Sequence, residues 1–291
     1  MRLRLGAAVI GLLFLSSPLV AQTGKNFLWK VEGNNGSVAY LLGSLHVLTP
    51  ESYPLNPAIT QAFANSKTLV EEVDLNEASD PTVMMAALAK AMLTDGKTLD
   101  QIVSPAIYAE VKRRAEQSGL PMMALQRMKP WLVAITLMAP TLQAAGFKPE
   151  LGIDQHFFDL AKTSGMKRQA LETLNYQLDR FDQLSPKLQE DLLKTTMDDL
   201  DNEVAGVKEM AQAWTVGNVT AMEKMTLAAL KESPELYARL LAERNSNWIP
   251  HVEACVKEKS GCFIVVGAAH LVGPDGLPTL LAKKGYKVTQ Q

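Results

Sequence analysis

The chain has 291 residues and a formal net charge of -2, with 47% hydrophobic and 21% charged residues. That mix excludes collagen-like and intrinsically disordered chains, and the near-neutral balance offers no basic face for nucleic acid. Two cysteines exclude a disulfide-scaffold protein, and the length fits one large domain or two small ones.

Arg2 and Arg4 precede an apolar run from Gly6 to Leu15, broken by Ser16, Ser17 and Pro18 ahead of Ala21. This is the pattern of a secretory signal peptide over residues 1–21, with an uncleaved anchor as the alternative. It implies a periplasmic or secreted protein whose single domain covers 22–291. No later segment suits a membrane span. Trp131 to Ala145 is too short and contains Pro140.

The mature chain opens with strands at Phe27–Val31 and Val38–Leu42, joined by the hairpin signal Asn34-Asn35-Gly36. A short helix near Pro57–Ala64 leads into a third strand, Thr68–Leu75. From Asp80 to about Phe147 the spacing is helical, with Asp80-Pro81 and Ser104-Pro105 as helix starts. This block reads as a helical insertion over about 80–147. A helix over 150–164, a strand near 167–171 and helices near 173–182, 186–200, 203–216, 218–230 and 234–257 follow. Cys262–Val266 has the continuous apolar character of a strand covered on both faces. A helix near 275–284 and a strand at 286–289 close the chain. The fold class is α/β, an α+β arrangement with a central mixed sheet built from both chain ends. Cys255 and Cys262 bracket a polar turn, which in an oxidising compartment suits a local disulfide.

Two segments are alike: Tyr40-Leu41-Leu42-Gly43-Ser44-Leu45-His46 and Ile264-Val265-Val266-Gly267-Ala268-Ala269-His270. Each is an apolar strand that runs into Gly-x-x-His, presenting the imidazole beyond the sheet's carboxyl edge, where ligands bind in open α/β sheets. Parallel neighbours in one sheet would bring His46 and His270 to one pocket. The plain alternative makes both histidines turn residues bonding backbone carbonyls. The third strand ends in Glu71-Glu72-Val73-Asp74. Strand alternation puts Glu72 and Asp74 on one face and Glu71 on the other. A buried acid there needs a partner or a metal, and two imidazoles plus a carboxylate form the inner shell of several hydrolytic metal sites. Salt bridges to nearby arginines are the other reading. His156 and His251 read as bystanders.

The chain resembles the TraB/GumN family, which includes the animal Tiki proteins. The resemblance covers about Phe27 to Val288. It rests on Gly43-Ser44-Leu45-His46, Glu72-Val73-Asp74, Leu151-Gly152-Ile153-Asp154, Leu171-Glu172-Thr173, Arg244-Asn245 and Val266-Gly267-Ala268-Ala269-His270-Leu271. It implies a fold related to the erythromycin-esterase and ChaN-like proteins. For Tiki proteins it implies a metal-dependent peptidase. By position, His46, Glu72 and His270 correspond to the residues that would hold a divalent ion, manganese, cobalt or zinc. Arg244 would steady an oxyanion or a substrate carboxylate, and its alternative is a surface ion pair. Glu172 would orient a histidine, Asp154 would cap its helix, and Glu71 or Asp74 would move protons. The expectation is an exported metal-dependent hydrolase acting on a peptide or small molecule. A metal-free esterase-like hydrolase and a non-catalytic binder of haem, metal or peptide are the alternatives. The family alone transfers neither substrate nor activity.

Overall fold

The structure, a computed structural model, describes residues 24–33, 36–94, 96–258 and 261–291. The signal-peptide reading, and Asn34 and Asn35 of the hairpin, lie outside these residues. Among the described residues six strands form one mixed sheet: β1 (Leu28–Glu32), β2 (Val38–Ser44), β3 (Thr68–Glu71), β4 (Lys167–Ala170), β5 (Cys262–Gly267) and β6 (Lys287–Gln290). Their spatial order is β4-β3-β5-β2-β1-β6. β1 is antiparallel to β2 and to β6, while β2, β5, β3 and β4 run parallel. Both chain ends therefore build the sheet. Parallel neighbours need long crossovers, and the helices supply them.

Those helices are α1 (Pro57–Ala64), α2 (Leu75–Ser79), α3 (Pro81–Ala91), α4 (Pro105–Gln117), α5 (Met122–Leu125), α6 (Pro130–Ala144), α7 (Ile153–Ser164), α8 (Leu174–Asp182), α9 (Pro186–Thr215), α10 (Val219–Glu232), α11 (Pro234–Tyr237), α12 (Glu243–Lys257) and α13 (Leu277–Lys283). Asp80 caps α3 by accepting the N–H groups of Thr82 and Val83, and Pro105 opens α4. The structure departs from the sequence reading at α9 and at β3. α9 is one helix of 30 residues where two were expected. Asp201-Asn202 contains no obligate helix breaker, and packing on α6 and α10 carries the helix through it. β3 ends at Glu71, not Leu75, because Asp74 turns the chain into α2 by capping Asn76 N–H. The apolar stretch 131–145 is the partly buried helix α6, which runs through Pro140.

The main core surrounds the sheet, and its two faces can be told apart by β5. Cys262 is bonded to Cys255 of α12, whereas the Phe263 ring meets Phe157 of α7 and Phe63 of α1. Even-numbered β5 residues thus face α12, and odd-numbered ones face α7. The helical region has its own core, with Leu99, Val111, Val133 and Leu137 packed on Leu193 and Met197 of α9. It therefore extends beyond residues 80–147 to include the first half of α9.

Candidate active site

β5 lies between β2 and β3, and this placement assembles the site. In the parallel register Gly43 stands opposite Val266 and Ser44 opposite Gly267. The two Gly-x-x-His segments therefore leave the sheet at the same edge, one residue out of step. β3 flanks β5 on its other side and ends two residues short of that level, with Glu71 opposite Val265. Glu72 follows directly.

Glycine is required by close approach at two of these turns. A Cβ on Gly43 would sit 2.4 Å from the Phe27 ring, and its carbonyl accepts Trp214 Nε1–H at 2.6 Å. A Cβ on Gly152 would sit 2.4 Å from the His46 carbonyl oxygen. The Leu151-Gly152-Ile153-Asp154 segment thereby cradles the first histidine. Ile153 N–H donates to the Leu45 carbonyl at 3.0 Å, and Asp154 Oδ2 lies 2.7 Å from His46 Nδ1. Asp154 raises the His46 pKa. The His46 side chain is 73% exposed, so solvent screens the pair. Asp154 is thus more than the helix-start residue that its position suggested.

His270 is the opposite case, only 4% exposed, in the short 3-10 turn Ala268–Leu271. Asn245 fixes its tautomer. The Asn245 amide nitrogen donates to the backbone carbonyls of His270 and Asp275 at 3.3 and 2.7 Å. Its Oδ1 is therefore the atom facing His270 Nδ1 at 2.7 Å, and Nδ1 carries the proton. Nε2 is left as a lone pair. Burial lowers the His270 pKa to about 3, so the ring is neutral.

Glu72 lies between these elements, with its side chain buried. Oε1 accepts the Gly267 N–H at 2.7 Å and is 3.8 Å from His270 Nε2. Oε2 accepts Gln177 Nε2–H at 2.9 Å and Arg244 Nη2–H at 2.5 Å. Burial alone would raise the Glu72 pKa, but Arg244, with His46 and the Gly267 N–H, outweighs it and holds the carboxyl down at about 2. Glu172 stands beside it because β4 leads the chain there and the Glu172 N–H donates to the Glu72 carbonyl at 2.9 Å.

Arg244 joins the set from the first turn of α12, directly after the π-helical turn Ala238–Ala242. Such turns are frequent at functional sites. Nε donates to Glu172 Oε1 and Oε2 at 3.1 and 3.2 Å, and Nη2 reaches Glu172 Oε1 at 2.6 Å. Nη1 donates to the Leu240 carbonyl at 3.2 Å and lies 3.1 Å from His270 Nε2. The Trp248 ring lies 4.7 Å from the guanidinium carbon and donates Nε1–H to Glu172 at 3.1 Å. Burial pushes the Glu172 pKa up, against the pull of Arg244.

Arg244 thus touches His270, Glu72 and Glu172 together. His46 stands at the rim, close enough to act electrostatically on Glu72 and His270. Glu71 is on the α7 face of the sheet, buried, with Oε1 lacking a hydrogen-bond partner among the described residues. Burial pushes its carboxyl up to about 8. Asp74 is engaged as the α2 cap, so the expected shared face with Glu72 does not form. Asn245, Gln177 and Trp248 were not singled out from sequence as site residues. Arg244 and Trp248 do share one helix stripe through their i, i+4 spacing, which was a readable signal.

Among the described residues, no group of three or more His, Cys, Asp or Glu side chains is arranged to hold a metal ion as it stands. The donor chemistry nonetheless suits a divalent ion. Each imidazole has Nδ1 tied to a side-chain oxygen, the usual orienting contact of a metal-binding histidine, and Glu72 adds a carboxylate. The cationic fork of Arg244 occupies Glu72 and the His270 lone pair.

"Uncharacterized protein YbaP" of Shigella flexneri is 24% identical over 267 residues, which is 90% of this chain and 95% of that protein. Its counterpart in Escherichia coli K12 is 24% identical over 243 residues, 83% of this chain and 87% of that protein. The human protein named "Metalloprotease TIKI1" is 24% identical over 318 residues, which cover 90% of this chain but 61% of the human one. No solved structure matches. The model of the TraB/PrgY/gumN family matches residues 27–290, so both Gly-x-x-His segments, Glu72 and Arg244 fall within the match, and the chain belongs to that family.

Proposed function

We propose that this chain is an exported hydrolase that cleaves an amide or ester bond of a peptide or small molecule. The reaction would take place at the site formed by Glu72, Glu172, Arg244 and His270, with His46 at its rim. The observation that carries this reading is the exit of both Gly-x-x-His segments from neighbouring parallel strands at one sheet edge, the second of them bonded to Glu72, with both imidazoles oriented through Nδ1. The similarity to a protein named as a metalloprotease supports the peptidase form of it. His46, Glu72 and His270 are the residues that would hold a divalent ion, manganese, cobalt or zinc, which would supply Lewis acidity.

The chain's own groups divide the remaining work. The two Arg244 N–H groups now on Glu72 and His270 are the ones that, once released, would serve a substrate carbonyl oxygen or carboxylate, and Glu172 and Trp248 keep the fork aimed. Asn245 holds His270 in the Nδ1–H tautomer. Where no ion is bound, His46, paired with Asp154 and open to solvent, is the group able to carry a proton in and out. Only in that metal-free form would the His46–Asp154 pair take the proton-moving part that the sequence reading gave to Glu71 or Asp74.

The test is hydrolysis of a panel of peptide amides and small esters, before and after exhaustive chelation. Activity should fall with chelation, return with manganese, cobalt or zinc, and be absent in His270→Ala. The His46–Asp154 contact at 2.7 Å also favours a second reading, a metal-free hydrolase with His46 as general base. Activity that survives chelation yet disappears in His46→Ala would select it.

A further inference from the structure

Arg244 uses all five of its N–H donors, and they fall into two groups. One group faces Glu72 Oε2 and His270 Nε2. The other faces Glu172 and the Leu240 carbonyl, with the Trp248 ring against the guanidinium. The first group excludes a metal. Asn245 Oδ1 accepts a hydrogen bond from His270 Nδ1–H, so Nε2 has one lone pair to give, and Arg244 Nη1 lies 3.1 Å from it. A metal would need that lone pair at about 2.0–2.1 Å. One lone pair cannot serve both cations. Glu72 Oε2 is likewise shared between Arg244 and Gln177. The second group requires nothing of the metal site. Glu172 and Trp248 bind Arg244 whether or not Glu72 does.

We propose that Arg244 is a resident cation that holds Glu72 and His270 in the metal-free protein, and yields both to a divalent ion while staying berthed on Glu172 and Trp248. This rests on the metal-dependent reading of the same pocket. The arginine keeps two buried acids from facing each other unpaired, and its displacement sets the affinity for the incoming ion. Glu172 is then a positioning residue, acting through Arg244.

Equilibrium dialysis of the full chain against zinc or manganese, with elemental analysis, tests this together with the crystal structure of the zinc-soaked wild type. Arg244→Met should bind the ion at least tenfold more tightly than wild type, because no resident cation has to be moved. Glu172→Gln, which removes the berth, should bind it several-fold more weakly. In the zinc-soaked wild type Arg244 should have left Glu72 and His270 while keeping its contacts to Glu172 and Trp248. That readout follows the position of the guanidinium, not the net charge of the site. If Arg244→Met does not fold, Glu172→Gln and the zinc-soaked wild-type structure decide the matter. Ion binding that is lost in His270→Ala but is equal or weaker in Arg244→Met overturns the exchange and leaves the metal site standing. So does an unchanged affinity in Glu172→Gln. Absence of binding in wild type and Arg244→Met alike overturns both.

Discussion

Gly267 donates its backbone N–H to Glu72 Oε1 at 2.7 Å, and a Cβ at position 267 would lie 3.3 Å from that same oxygen. The glycine of the second Gly-x-x-His segment is therefore a contact to the carboxylate as well as a turn. Gly267→Ala should displace Glu72 by a few tenths of an ångström, lowering activity about three- to thirtyfold with little change in melting temperature. Gly152→Ala should behave differently. Its Cβ would meet a backbone oxygen, that of His46, at 2.4 Å. The backbone must move, and the loss of stability should be about 1–3 kcal/mol by denaturant titration, with activity falling as well.

Asn245 sets the tautomer of His270. Asn245→Leu removes the acceptor and frees Nδ1, so metal affinity or activity should drop about ten- to a hundredfold. Asn245→Asp keeps an acceptor but gives up the N–H bonds to the His270 and Asp275 carbonyls. It should retain more function than the leucine variant while losing more stability. Equal effects of the two variants would argue against the tautomer role.

Glu203 of α9 lies away from the pocket, with both carboxyl oxygens buried and without partners among the described residues. Burial, reinforced by Asp199, pushes its pKa up to about 7. The folded state then holds its proton more tightly than the unfolded chain, where the value is ordinary. Stability should therefore decline as pH rises from about 4.5 to about 7. Glu203→Gln should remove that decline, adding about 1–2 kcal/mol at pH 8 and almost nothing at pH 4. Melting curves across this range check the sign.

Cys255 and Cys262 join the end of α12 to the start of β5 across a separation of seven residues. So short a loop limits the effect to about 2 kcal/mol. Cys255→Ser combined with Cys262→Ser should lower stability by that amount under oxidising conditions. It should make no difference in excess reductant, and activity should be retained.

Much of this architecture could be read from the residues. The two Gly-x-x-His segments, each ending an apolar strand, announced a sheet built from both chain ends, and the Asp80-Pro81 and Ser104-Pro105 helix starts appear where expected. What escaped depends on tertiary partners. Alternation in Leu69–Asp74 cannot show that the backbone leaves the ladder after Glu71, because a local side-chain cap by Asp74 decides it. Asn245 is one polar residue on a helix, and only its two carbonyl partners from the distant turn around His270 and Asp275 give it a task. The Asp201-Asn202 pair looks like a boundary locally, and neighbouring helices override it.

Anomalous X-ray diffraction from crystals soaked in zinc tests the central claim most directly, that His46, Glu72 and His270 serve one site. The account predicts a single peak about 2.0–2.2 Å from Nε2 of both imidazoles and from a Glu72 oxygen, with Arg244 turned wholly onto Glu172. A peak elsewhere, or none while Arg244 stays on Glu72 at saturating zinc, would contradict it.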